Sequence, residues 1–216
     1  MKLKHLQIQT SNIQKTTAFY ENILELPITE KSKNSVTIQA GNSVLEFTEN
    51  PAFDSVYHFA FNIPENQLTE AIAWCQNKVS LIHIEDQNVI ANFENWNANA
   101  VYFYDNSGNL LEFIARHDLH NSQTAKFSSK SILNISEIGI VTENPLELGN
   151  QLRQEYGLEF FNKNDNSELF AAVGDDEGLL IMVKPNRNWY PTQTPSKSNI
   201  TAITIENNGA GTELQF

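Results

Sequence analysis

Three segments of this chain are variants of one hairpin: VTIQAGNSVLEFTE (residues 36–49), VYFYDNSGNLLEFIA (101–115) and LFAAVGDDEGLLIMV (169–183). Each follows an alternating strand and an amphipathic helical stretch, so the chain reads as a repeated strand–helix–strands unit. Such a unit has an apolar sheet face that it cannot cover alone, and copies must therefore pack on one another.

In the first unit LKHLQIQT (3–10) places Leu6 and Ile8 on one face and His5, Gln7 and Gln9 on the other. A helix over SNIQKTTAFYENILELPI follows, with Ile13, Thr17, Tyr20 and Leu24 as its stripe and an end before Pro27. VTIQ and VLEFT then pair across AGNS. The second unit opens at VYHFAFNI (56–63), and a helix from Pro64 carries Leu68, Ala71, Ile72 and Cys75 on one side. Irregular strand signals occupy 79–96, before the hairpin around DNSGN. After a polar linker, 116–131, the third unit runs from SEIGIVTEN through a helix starting at Asn144-Pro145 and ending at Gly157, to its hairpin. NITAITIENN, ahead of Phe216, is all that remains of a fourth.

A length of 216 residues supports a sizeable core in one large or two small domains, and the single Cys75 excludes an intrachain disulfide. With 14 Lys and Arg against 26 Asp and Glu, the net charge of -12 repels phosphate backbones and anionic membranes. Neither nucleic acid nor membrane is an expected partner. MKLKHLQIQT lacks the apolar run of a signal peptide and no segment approaches a membrane span, so a cytoplasmic location is expected. Phosphate-loop, Rossmann, EF-hand and zinc-finger spacings are absent.

Overlaying the hairpins sets Glu46 opposite Glu112, while the third unit has Ile181 there, so the strand itself does not require an acid. The first strands of units one and two likewise match His5 with His58. Taken singly, each side chain has an ordinary structural role open to it, hydrogen-bonded or solvated. Taken together they suggest more: if units one and two pack about a pseudo-twofold axis, the four positions line one cavity. Two desolvated carboxylates are costly without a counter-charge. A divalent cation resolves the conflict, and the mixed nitrogen and oxygen set suits Zn, Ni, Co, Mn or Fe.

The order of units, the NIQKTTAFYENILELPI helix and the Asp-x-x-Gly-x-x-x-Glu core of VYFYDNSGNLLEFI resemble the vicinal oxygen chelate superfamily of glyoxalases, bleomycin resistance proteins and extradiol dioxygenases. The likeness is good over residues 1–116 and thinner over 135–184. It implies an α+β fold of paired βαβββ modules forming an open-barrel, cup-shaped sheet. Modules 1–50 and 55–116 would make a complete domain over 1–120, with 132–216 a truncated second half bearing a degenerate site. His5, His58 and Glu112 become the usual three ligands and Glu46 the additional acid of glyoxalase-like members. In the later units Glu137 stands where His5 would and Ile181 where Glu46 would, so no second metal site is expected.

The resemblance further implies a glyoxalase-like lyase or isomerase that chelates vicinal oxygens of a small oxygenated substrate and works through an enediolate, with Glu112 or Glu46 as base. Gln7, Asn62, Trp96, Tyr102 and Tyr104 are candidates to line the substrate pocket. An Fe(II) extradiol-type dioxygenase of a catechol, with His83 or His117 as acid or base, is one alternative; a non-catalytic small-molecule-binding protein is another. NRNWYPTQTPSKSN is a long loop suited to a lid or an interface, and the incomplete fourth unit makes a homodimer the simplest cover for a sheet edge, with a strand from elsewhere in the chain as the alternative.

Overall fold

The computed structural model of the protein describes residues 1–216. Unit one contributes β1 (Lys2–Thr10), α1 (Ile13–Ala18), β2 (Ile28–Lys31), β3 (Ser35–Ala40) and β4 (Ser43–Glu49). Unit two contributes β5 (His58–Ile63), α2 (Leu68–Cys75), β6 (Ala91–Phe93), β7 (Ala98–Tyr104) and β8 (Leu110–Arg116). Unit three contributes β9 (Asn134–Val141), α3 (Pro145–Tyr156), β10 (Phe170–Asp175) and β11 (Gly178–Val183), and unit four only the hairpin β12 (Ala202–Asn207) and β13 (Ala210–Gln215). No helix is long and apolar enough to cross a membrane.

Local chemistry explains the helix ends. Asn12 caps α1 by accepting the Lys15 amide at 2.9 Å, and Phe19–Ile23 prolongs the helix as a π-helical turn. Helix α3 has Pro145 in its first turn and ends at Gly157 with φ 63°, a conformation that glycine adopts without a Cβ clash. Helix α2 starts later than its proline suggests, because Pro64 and Gln67 first close a turn through a 3.0 Å backbone hydrogen bond.

Within each complete unit the first strand lies parallel to the last: β1 beside β4, β5 beside β8, β9 beside β11. Units then join through their first strands, antiparallel. The expected partnership of units one and two is not the one formed. One sheet has the order β13-β12-β1-β4-β3-β2 and the other β10-β11-β9-β5-β8-β7-β6, so unit one pairs with unit four and unit two with unit three. Residues 1–120 are therefore not a self-paired domain. The physical reason is that every first strand offers the same kind of free edge. Nothing in the local pattern says which other edge will occupy it.

Strand alternation sends Phe59, Phe61, Phe113, Ile138 and Met182 into a core shared with Leu6, Ile8 and Phe47 of the other sheet, all within one cluster of 38 buried residues. The opposite faces of the two sheets form two concave cups.

A candidate metal centre

The cup of units two and three brings His58, Glu112 and Glu137 together, with one ligand atom from each lying within 4.8 Å of the others. Two of them follow from simple alternation. On β5, His58 and Ala60 face the cup while Phe59 and Phe61 face the core; on β8, Leu110, Glu112 and Ile114 face the cup. Glu137 needs a further device. Ile135 pairs with the core-facing Phe61, yet Glu137 pairs with the cup-facing Ala60, so Ser136 is an extra residue that flips the phase of β9. Without that bulge Glu137 would share the core face of Ile135. The same irregularity between Leu3 and His5 turns His5 away from the core.

His58 Nδ1 lies 3.1 Å from the Leu110 carbonyl, which accepts its proton and leaves Nε2 with a free lone pair 3.7 Å from Glu112 Oε2. Burial holds the His58 pKa down to about 4, against a smaller upward pull from that hydrogen bond, so the ring is a neutral donor. Burial first, and then the neighbouring Glu137, push the Glu112 pKa well above the usual carboxylate range; Arg116 and the Tyr102 hydroxyl oppose the shift. Glu137 is also raised by burial, and there Arg116 is the leading opposing influence.

Arg116, fully buried, donates to Glu137 and also to Asp176 at 3.3 Å, while Lys163 bridges Asp176 and Asp118 at 2.6 Å each. One acid is thus clamped by a guanidinium and the other is not. The donor set fits a divalent cation: a neutral imidazole nitrogen and two carboxylates converge, and separations under 4.8 Å need only a small contraction to meet ligand bonds of roughly 2.0–2.2 Å. Being richer in oxygen than nitrogen, it suits harder cations such as Mn²⁺.

Around the triad is a cavity of about 220 Å³, open on one side. Trp96 and Tyr102 line it, as do Phe93, Phe170 and Tyr190, which no reading of the sequence had placed there. The loop after β11 folds over this cup. Trp189, 3 % exposed, packs its indole 5.2 Å from the His58 ring and seats on Gly139, where a Cβ would come within 2.4 Å of Trp189 Cη2.

The four expected ligands do not share a cavity. His5 and Glu46 lie in the other sheet, on the cup of units one and four, with His5 Nε2 3.1 Å from Glu46 Oε2. Gln7 is beside them, donating to Glu46 at 3.0 Å. The side chains there are 38 % and 22 % exposed, against 8 % and 2 % for His58 and Glu112. Asn62 points elsewhere, donating to the Asp176 carbonyl at 2.9 Å, and Tyr104 is exposed. His83 and His117 bond to the Asp86 carbonyl and Asn99 outside the cavity. The third unit, expected to be degenerate, supplies the third candidate ligand.

Two sheets of βαβββ units, with a histidine–carboxylate cluster in one cup that could hold a divalent cation, define the class of fold. The chain belongs to the Glyoxalase/Bleomycin resistance protein/Dioxygenase superfamily, whose family model matches residues 2–113. It is 27 % identical over 117 residues to the metallothiol transferase FosB of Staphylococcus haemolyticus (strain JCSC1435), a match covering 51 % of this chain and 80 % of that protein. Among solved structures, a "putative dioxygenase" from Bacillus subtilis subsp. subtilis str. 168 superposes with a TM-score of 0.61 at 15 % identity, over 85 % of this chain but only 63 % of that one. The V278E glyoxalase I mutant from Zea mays gives 0.59 at 14 % identity, over 92 % and 71 %. At these identities the two structures speak for the fold alone.

Proposed function

We propose that the protein is a metal-dependent lyase or isomerase of small oxygenated substrates, working in the cup of units two and three with His58, Glu112 and Glu137 as ligands. The observation that carries this is the unequal treatment of two buried acids. Arg116 clamps Glu137, which suits a fixed ligand. Glu112 has no cation bonded to it and its proton affinity is raised by burial, which suits a base that takes a proton from a substrate carbon. Tyr102 is the cross-strand neighbour of Glu112 on β7 and lines the same cavity. A bound divalent cation would polarise vicinal oxygens of the substrate and acidify the neighbouring C–H. Trp189 and the aromatic walls enclose the same space except at its open side and limit its contact with water.

A dioxygenase reading is weaker, because the arrangement common to non-haem iron oxygenases has two imidazoles and one carboxylate, and this cup holds one imidazole and two carboxylates. Two measurements test the proposal: Mn²⁺ affinity by calorimetry, and Mn²⁺-dependent deuterium uptake from solvent at the carbon next to the carbonyl of hydroxyacetone. Binding is expected to be lost in His58→Ala, and uptake in Glu112→Gln. Oxygen consumption with catechol, or no Mn²⁺ binding by the wild type, would overturn it.

A further inference from the structure

The chain has three arginines, and two of them are matched to acids: Arg116 to Glu137 and Asp176, and Arg153 to Glu159 at 3.1 Å. The third, Arg187, has no carboxylate within 4.0 Å although the protein carries 26 acidic residues. It lines the same cavity as the triad, with its guanidinium carbon 4.9 Å from the centre of the Phe170 ring. Stacking on a ring leaves a guanidinium's N–H fork free for an oxyanion. Its backbone is held in place: the Ser196 amide donates to the Arg187 carbonyl at 2.9 Å, and the Asn186 amide donates to the Ser196 carbonyl at 2.9 Å. Trp189, two residues on, is buried beside His58.

Resting on the metal-centre reading above, we infer that the substrate of this cup carries, beside its reacting oxygens, a small planar group ending in a carboxylate that Arg187 binds. The cavity, at about 220 Å³, has room for one ring, and Phe93, Trp96, Tyr102 and Tyr190 present aromatic surfaces for it. Without a metal, Arg187 is the one cation of the cup that is not already matched to an acid. A divalent cation held by His58, Glu112 and Glu137 would add positive charge on the same cavity as Arg187 and strengthen the pull on an anion. Carboxylate binding is therefore strengthened by the metal, and the recognising residue lies outside the segment, 2–113, matched by the family model.

Calorimetry on the full-length protein, with and without Mn²⁺, tests this with benzoate, its neutral isostere benzamide, and the non-planar cyclohexanecarboxylate. With Mn²⁺ bound, benzoate is expected to bind about five- to ten-fold more tightly than either comparison compound, the range for a charge-assisted contact near the surface. Arg187→Gln should abolish the preference over benzamide while leaving Mn²⁺ affinity and Tm unchanged; without the metal, benzoate binding should weaken. A benzoate preference that survives in Arg187→Gln, equal affinity for the non-planar acid, or no benzoate binding by the Mn²⁺-loaded protein would each overturn the inference while leaving the metal centre standing. Failure to bind Mn²⁺ would remove both.

Discussion

Replacing Arg116 by Met keeps most of the side-chain volume and deletes one buried charge. Its partners then fare differently. Asp176 is 16 % exposed and keeps Lys163 at 2.6 Å, so it loses little. Glu137 is 5 % exposed and would be left beside Glu112 with no cation bonded to it. Breaking a buried ion pair by removing one member costs about 3–5 kcal/mol. At roughly 2–4 °C per kcal/mol for a chain of this size, Tm should fall by roughly 6–20 °C in EDTA at pH 8, read by calorimetry or differential scanning fluorimetry. The unpaired Glu137 is relieved by taking up a proton, so the deficit should shrink at pH 5. Mn²⁺ supplies the missing positive charge and should raise the Tm of the variant more than that of the wild type. In Arg116→Met/Glu137→Gln the uncompensated charge is gone, and the loss should be well below the sum of the single losses. A variant whose Tm stays within about 2 °C of wild type at pH 8 would refute the counter-charge argument.

Other outcomes follow from the same coordinates. Gly139→Ala places a Cβ 2.4 Å from Trp189 Cη2, so the indole should leave the His58 ring; a red-shifted tryptophan emission and a loss of about 1–3 kcal/mol are expected, and an unchanged spectrum would contradict this seating. The His58 pKa, held at about 4 against the ordinary 6.5, means the unfolded chain takes up the proton first; stability should drain away as pH falls from about 6.5 to 4, by about 3 kcal/mol, and His58→Gln should lack that component in acid titrations. Asp105 accepts from Tyr20 Oη at 2.9 Å, from the Ser107 and Asn109 amides at 2.8 and 2.9 Å, and from Asn109 Nδ2 at 2.8 Å. Asp105→Ala should cost roughly 2–4 kcal/mol in urea unfolding, while Tyr20→Phe, which removes one bond of the four, should cost less.

Much of the molecule is written in short-range pattern. The three hairpins, the stop of α3 at Gly157 and the alternation that directs His58 and Glu112 to one face and Phe59 and Phe113 to the other all depend on residues within a few positions of one another. Family membership is legible for the same reason, since the matching segment, 2–113, holds unit one and all of unit two but the end of β8. Glu137 was visible as the counterpart of His5, but its role was not. Its direction depends on the unpaired Ser136, and a bulge exists only relative to the neighbouring strand.

The sequence by itself therefore determined the units, the faces of their strands and the kinds of donor they carry. Tertiary structure decided which units share a sheet, and so separated His5 and Glu46 from His58 and Glu112 and joined the latter to Glu137. It also carried Arg187 and Trp189 from a loop after β11 to the mouth of the same cup. The reason is that side-chain direction along a strand is a local property of the backbone, whereas the partner at a strand's free edge is chosen by the whole chain, from edges that look alike in sequence.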